Sequence, residues 1–175
     1  MTLVPLVRRS TMAILIASLA AALAACNAQD KAAGPLEFTS ETACSLDGMV
    51  LADYPGPKAQ ILYTQGDPDF FCDTVEMFSI YLRPEQKRGI AAVFVQDMGK
   101  ADWASPKGHW IDAKTAFYVV GSRREGSMGP TIASFGAEND AQRFAAEFGG
   151  KVMPFSAVTP EMATLDGGII HDQRM

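Results

Sequence analysis

The chain has 175 residues, with 15 basic and 20 acidic side chains and a net charge of −5. That length suits one domain or two small ones, and the absence of any Lys/Arg run interleaved with aromatic residues argues against nucleic acid as a partner. There is no G-x-S-x-G elbow, H-E-x-x-H pair, phosphate-binding glycine loop or strand-linked G-x-G-x-x-G, so the sequence reads as that of a non-enzyme.

Residues 1–25 read as a signal peptide. Arg8 and Arg9 form a positive n-region, and "TMAILIASLAAALAA" is an apolar h-region too short and alanine-rich for a spanning helix. The stretch "LAAC", Leu23 to Cys26, resembles the bacterial lipobox. By that resemblance the chain is cleaved before Cys26, whose thiol and amine become acylated, and two or three acyl chains anchor it stably to a bilayer. Asn27 follows the cysteine, which by enteric-type sorting rules favours the outer membrane over the inner. Loss of Arg8 and Arg9 leaves 13 basic against 20 acidic residues, a net charge of −7.

Residues 26–40 carry the lipidated cysteine and a small, polar segment with Gly34-Pro35, expected to be a flexible tether. Residues 41–100 form a first module. In it "AQILYT" alternates like a strand, "QGDPD" turns and "FF" begins a second strand. "CDTVEMFSIYL" then places Val75, Phe78 and Leu82 at helical spacing, and "AAVFVQD" closes the module as a strand.

Residues 101–158 hold a polar central loop with Trp103, His109 and Trp110, expected to fold back on the modules so that its indoles can pack. The second module follows: "TAFYVV" is a strand, "GSRREGSMGP" a long turn and "TIASF" a strand. "AENDAQRFAAEFGG" is a helix with Ala141, Phe144, Ala145 and Phe148 inward and Gly149-Gly150 as its stop, and "KVMPFSAV" is the last strand. The fold class is therefore α+β, with two similar ββαβ modules in tandem. Residues 159–175, with Pro160 and Gly167-Gly168, read as an irregular tail carrying His171 and Met175.

The candidate chemistry is soft. Cys44 and Cys72 remain after lipidation of Cys26, either as a disulfide or as thiols kept for a metal. Seven methionines survive processing. Met77 and Met153 fall at core positions, whereas Met49 (after Gly48), Met98 (past a strand end) and Met128 (between glycines) fall outside obvious core periodicity. For each of these three, core filling and ligation both stand. Thioether and thiolate sulfurs match Cu(I). Cys72 could begin the first helix, where the dipole would favour thiolate, or be a small buried residue. His109 could be a ligand or a hydrogen-bonded structural histidine.

Over nearly its whole length the sequence resembles the NosL family, the copper-binding lipoproteins accessory to nitrous oxide reductase. The likeness rests on "LAAC", "ACSLDGMVLADYPGPKAQI", "FFCDTVEMFSIYLRPEQ", "VQDMGKADWASPKGHWIDAK", "YVVGSRREGSMGPTIASF" and "LDGGIIHDQRM". It implies a periplasm-facing lipoprotein that binds one Cu(I) and supplies it to the copper–sulfide site of nitrous oxide reductase. The implied partners are the apo-reductase and a membrane maturation complex containing an ABC transporter. The implied fold is two ββαβ modules related in design to part of organomercurial lyase.

Two departures stand out. Many members carry C-x-x-C-G-M where this chain has "CSLDGM", so Asp47 replaces the second cysteine and no dithiolate forms within that motif. Many also place a histidine after the methionine of the second-module loop, where this chain has Thr131. The expected ligands are Met128, Met49, Met98, His109 and Cys72, with His171 able to reach in from the tail. Two rival readings are a lyase-like enzyme with Cys44 and Cys72 as nucleophiles and Asp47 as proton donor, and a structural lipoprotein with a Cys44–Cys72 disulfide.

Overall fold

The computed structural model describes residues 34–165. The signal peptide, Cys26, His171 and Met175 lie outside them. The first module runs β1 (Ala59–Tyr63), β2 (Asp69–Phe71), α1 (Thr74–Tyr81), β3 (Ile90–Gln96), and β4 (Trp110–Asp112) follows it. The second runs β5 (Phe117–Val120), the short pair β6 (Glu125–Gly126) and β7 (Gly129–Pro130), β8 (Ala133–Phe135), α2 (Glu138–Phe148) and β9 (Lys151–Pro154).

The two modules share one strand order. The first sheet is β2-β1-β3-β4 and the second β8-β5-β9, so in each the module's first strand lies between its second and its last. All pairings among the described residues are antiparallel, with Ile61 opposite Val93 and Tyr118 opposite Met153. Among the described residues the modules differ in β4, supplied by the end of the central loop, which adds to β3, and in the separate β6–β7 pair of the second module.

Antiparallel sheets with one wet face alternate apolar and polar residues. β1 does not: all five of its residues are buried. β5 explains how the modules join. Its alternate side chains serve two cores, Tyr118 packing with Phe71, Phe78 and Val95 in the first, Val119 with Phe135, Ala141 and Phe144 in the second. Tyr118 meets Phe78 edge to face at 5.0 Å and donates its hydroxyl to the Ala113 carbonyl at 2.7 Å, which satisfies the one polar atom it buries.

The helices begin differently. α1 has Asp73 as N-cap in a full capping box with Glu76, a device that satisfies two orphan backbone N–H groups reciprocally. α2 has no side-chain cap but carries Glu138 and Asp140 in its first turn and ends at Gly149, whose φ is 78°. Phe144 and Ala141 are buried as its periodicity predicts, and Ala145 and Phe148 are half-buried.

The structure departs from the sequence reading in three places. "GSRREGSMGP" contains the β6–β7 hairpin, closed by the two-residue turn Ser127-Met128. The expected tether is held from Leu36, whose N–H donates to Gln60 Oε1 at 2.8 Å and whose carbonyl accepts from Gln60 Nε2 at 2.9 Å, while Phe38 sits edge-on to Trp110. The expected irregular tail begins with a 3-10 turn at Pro160–Ala163 that packs on α1 and buries Ala163. In each case long-range packing, which local composition does not report, fixed a polar or short segment. The central loop folds back as expected: Trp103 stacks on Phe144 at 5.3 Å and donates to the Glu125 carbonyl at 3.0 Å.

Candidate metal centre

Two segments bring the thiols together. Cys44 opens a tight loop in which its N–H donates to the Met49 carbonyl at 2.7 Å and the Ala43–Val50 bridge closes the base. Cys72 follows β2 and immediately precedes the N-cap of α1, four residues before Glu76, so both project near the same helical turn. Cys44 Sγ donates to Glu76 Oε2 at 3.2 Å and Cys72 Sγ to the same oxygen at 3.1 Å. The other oxygen, Oε1, is buried without a partner. Both cysteines are free, so the disulfide of the structural reading is replaced by a dithiol facing a carboxylate.

Ligand atoms of Cys44, Asp47, Cys72 and Glu76 lie within 4.8 Å of one another. A metal bound by thiolates sits about 2.3 Å from each sulfur, so two such sulfurs stand at most about 4.6 Å apart, and this spread matches one ion with little rearrangement. A buried carboxylate oxygen without a donor is costly, and a cation would satisfy it. The donor set thus fits a metal ion. It also corrects an expectation: the sequence pointed to sulfurs without hard ligands, whereas two carboxylates accompany them.

The electrostatics of the cluster follow from too many acids in too little water. The adjacent Cys72 thiol and the N–H groups of Leu46 and Asp47 hold Cys44 down at about 6 against the effect of burial. Cys72 is pushed up, first by Cys44 and then by burial. The two thiols therefore titrate as a coupled pair, and neither loses its proton independently of the other. This corrects the expectation that the helix dipole would favour thiolate at Cys72, because the neighbouring sulfur outweighs it. Burial also pushes Glu76 up, to about 8. Lys58, buried beside them, is lowered to about 8 by desolvation.

The second module closes the site. Ser127 Oγ lies 3.3 Å from Cys72 Sγ and donates to it, and the Ser127 N–H reaches Asp73 Oδ2 at 3.3 Å. Asp73 Oδ1 accepts from Thr131 at 2.7 Å and from the Val75 N–H at 2.9 Å, while Thr74 donates to the Ile132 carbonyl. Gly126 is required here, since a Cβ would stand 2.3 Å from Asp73 Oδ2.

Of the expected ligands, Cys72 is at the centre. Met49 is on the Cys44 loop, half-buried against the first core. Met128 is 49 % exposed at the hairpin tip, one residue from the hydroxyl that touches Cys72. Met98 lies in the turn just past β3 as expected, but of its two readings the structure shows core filling: only 9 % exposed, it packs in the second core, and would have to leave that packing to bind an ion. His109 stands outside the metal-ligand cluster, exposed, with φ of 54° and its carbonyl bonded to the Asp97 N–H. Glu76 was missed, although its spacing from Asp73 is that of a capping box, and Cys44 was weighed but not placed among the ligands.

The NosL family model matches residues 35–163. The chain belongs to the NosL family. The copper-binding lipoprotein NosL of Stutzerimonas stutzeri is 40% identical over 143 residues, covering 79% of this chain and 75% of that protein. The protein of the same name from Achromobacter cycloclastes is 38% identical over 157 residues, covering 85% and 80%. The crystal structure of the copper chaperone NosL from Shewanella denitrificans superposes with a TM-score of 0.70 at 37% identity, over 73% of this chain and 97% of that one. The family's α+β fold is thus the fold of this chain; these matches do not extend it to organomercurial lyase.

Proposed function

We propose that the chain is a lipid-anchored, non-enzymatic Cu(I) carrier facing the periplasm, held by acylated Cys26 in the outer membrane rather than the inner. It delivers copper to apo nitrous oxide reductase for assembly of the copper–sulfide site, working with a membrane complex that contains an ABC transporter. The observation that carries the reading is the convergence of two free thiols on Glu76, whose second oxygen is buried without a partner. The relatives' descriptions as copper-binding lipoproteins and a copper chaperone support it.

The chemistry is that of a carrier. Thiolates are soft and prefer Cu(I) to hard ions. A cargo must also leave, and Met128, exposed and one residue from the hydroxyl that touches Cys72, offers an incoming partner a path of ligand exchange. The full chain carrying Cys26→Ser should bind one Cu(I) in competition with a chromophoric chelator, and lose that binding in C44S and C72S. The same protein should restore the copper–sulfide spectrum to apo-reductase. Binding unaffected by both cysteine substitutions would refute the site, and an unloaded reductase would refute the delivery step. Cys26→Ser protein that still pellets with carbonate-washed membranes would refute the anchor.

Free, adjacent thiols with Asp47 nearby also favour the lyase-like reading, with Cys44 and Cys72 as nucleophiles and Asp47 as proton donor. Burial of both thiols weighs against it, because an organic substrate needs a far wider opening than an ion. Turnover of an organomercurial by the reduced chain would support that reading over the carrier.

A further inference from the structure

Three of the four groups in the metal centre are sealed from water. Cys44 is 4 % exposed, and Cys72 and Glu76 are 0 % exposed. Asp47 is the exposed member, yet one of its carboxylate oxygens lies within 4.8 Å of both sulfurs and of a Glu76 oxygen. The loop that carries it explains how one side chain faces both ways. Gly48 turns with φ of 79°, and its N–H donates to the Cys44 carbonyl at 3.0 Å. The Leu46 N–H points at Cys44 Sγ across 3.4 Å, so the backbone wraps the sulfur. Asp47 Oδ1 accepts from the Met49 N–H at 2.9 Å, which ties the side chain to the loop, and Oδ2 makes no hydrogen bond among the described residues.

An ion from water cannot reach two buried sulfurs without losing hydration before it has gained both of them. A bare ion away from water is costly, so a ligand at the boundary that takes the place of water lowers the barrier in either direction. Asp47 stands at that boundary. Once the ion is seated its contribution is small, because a hard carboxylate gives a soft ion little and an exposed one keeps its own water. Glu76 differs, since its buried Oε1 has no partner until an ion arrives. We propose that Asp47 is the exchange ligand of the thiol site, touching the ion as it enters and leaves without holding it once seated. This rests on the metal-carrier reading above and deepens it by naming how the cargo moves.

Kinetics separate such a role from its rivals. A group that touches the ion only in passage stabilises one crossing point from both sides. Its removal therefore slows entry and exit by the same factor and leaves the dissociation constant alone. Removing a ligand of the seated ion speeds exit instead. Removing a charge that only attracts cations slows entry alone, and salt hides the difference. At about 4 Å a carboxylate favours a monovalent cation by roughly fivefold in water-like surroundings and by more as water thins. A factor of about tenfold is the scale expected of Asp47.

The test uses the full chain carrying Cys26→Ser, with Ag(I) as a redox-inert soft probe, in the wild-type site and in D47N and D47E. D47N keeps the acceptor for the Met49 N–H. Stopped-flow absorbance of the silver–thiolate bond gives the entry rate. Exit is the limiting rate of transfer to an excess of chelating thiol, once it no longer depends on that thiol's concentration. Both rates should fall about tenfold in D47N, with the dissociation constant within about threefold of wild type. The paired slowing should persist in about 0.5 M sodium nitrate, and D47E should recover both rates. Unchanged rates, or a fall in entry not matched by a fall in exit, overturns the proposal. Equal slowing in D47E overturns it as well, by tracing the effect to the shape of the loop. If C44S and C72S leave Ag(I) binding intact, the metal reading itself falls and this inference with it. If those substitutions abolish binding but D47N exchanges silver like wild type, only the role of Asp47 falls.

Discussion

The hydroxyl of Ser127 donates to Cys72 Sγ across 3.3 Å, joining the hairpin of the second module to the thiol of the first. Met128 follows Ser127 directly, so this bond places its backbone one residue from the contact with Cys72. Met128→Ala should therefore weaken Cu(I) binding or transfer while leaving stability within about 0.5 kcal/mol, since the side chain is largely exposed. Met98→Ala should do the reverse, losing about 2–5 kcal/mol of stability from the second core with copper affinity retained. Denaturant unfolding and chelator competition on both mutants decide it. A destabilised Met128→Ala with normal copper handling would reduce Met128 to packing.

Glu76 faces both thiols and caps α1 at once. Glu76→Gln keeps the size and the acceptor that answers the Asp73 N–H but cannot give up a proton to become a carboxylate ligand. Copper affinity should fall tenfold or more, with a stability change of about 1 kcal/mol or less. Wild-type affinity in this mutant would exclude the carboxylate from the site.

Asp73 holds the modules together at the same place. Asp73→Ala removes the N-cap of α1 and strands the buried Thr131 hydroxyl, along with the Ser127 N–H. Caps contribute about 1 kcal/mol and each abandoned buried donor about 1–3 kcal/mol, so urea unfolding should show a loss of about 3 kcal/mol or more. A loss below about 1 kcal/mol would mean that the hairpin docks without this network.

Asp97 predicts a pH dependence. Burial pushes its carboxyl up, but the Gly136 N–H, Lys100 and the Gly99 N–H outweigh it and hold the group below its ordinary value of 3.8. A carboxylate with a lowered folded pKa contributes stability that is fully present above the unfolded value and is lost as pH falls through the folded one. Stability should therefore decline below about pH 4, and Asp97→Asn should flatten that decline. Equal acid slopes in mutant and wild type, measured by thermal melts from pH 6 to 2.5, would remove Asp97 from the account.

The sequence by itself determined the repeated strand, strand, helix, strand order, because periods of two and of three to four residues report locally which face of an element is apolar. It also determined the buried positions of Met77 and Met153 and the glycine stop of α2. The metal centre was decided only by tertiary structure. Cys44 and Glu76 are 32 positions apart, and Cys72 and Ser127 are 55 apart, and no local pattern records which loops converge. The same holds for β5, whose alternation shows two apolar faces but not that they belong to different cores. Met98 and Met128 look alike in sequence, each next to a glycine at the edge of a strand. Packing beneath α2 buried the first, and docking of a two-residue hairpin turn beside Cys72 left the second exposed, because burial depends on what the rest of the chain places over a residue.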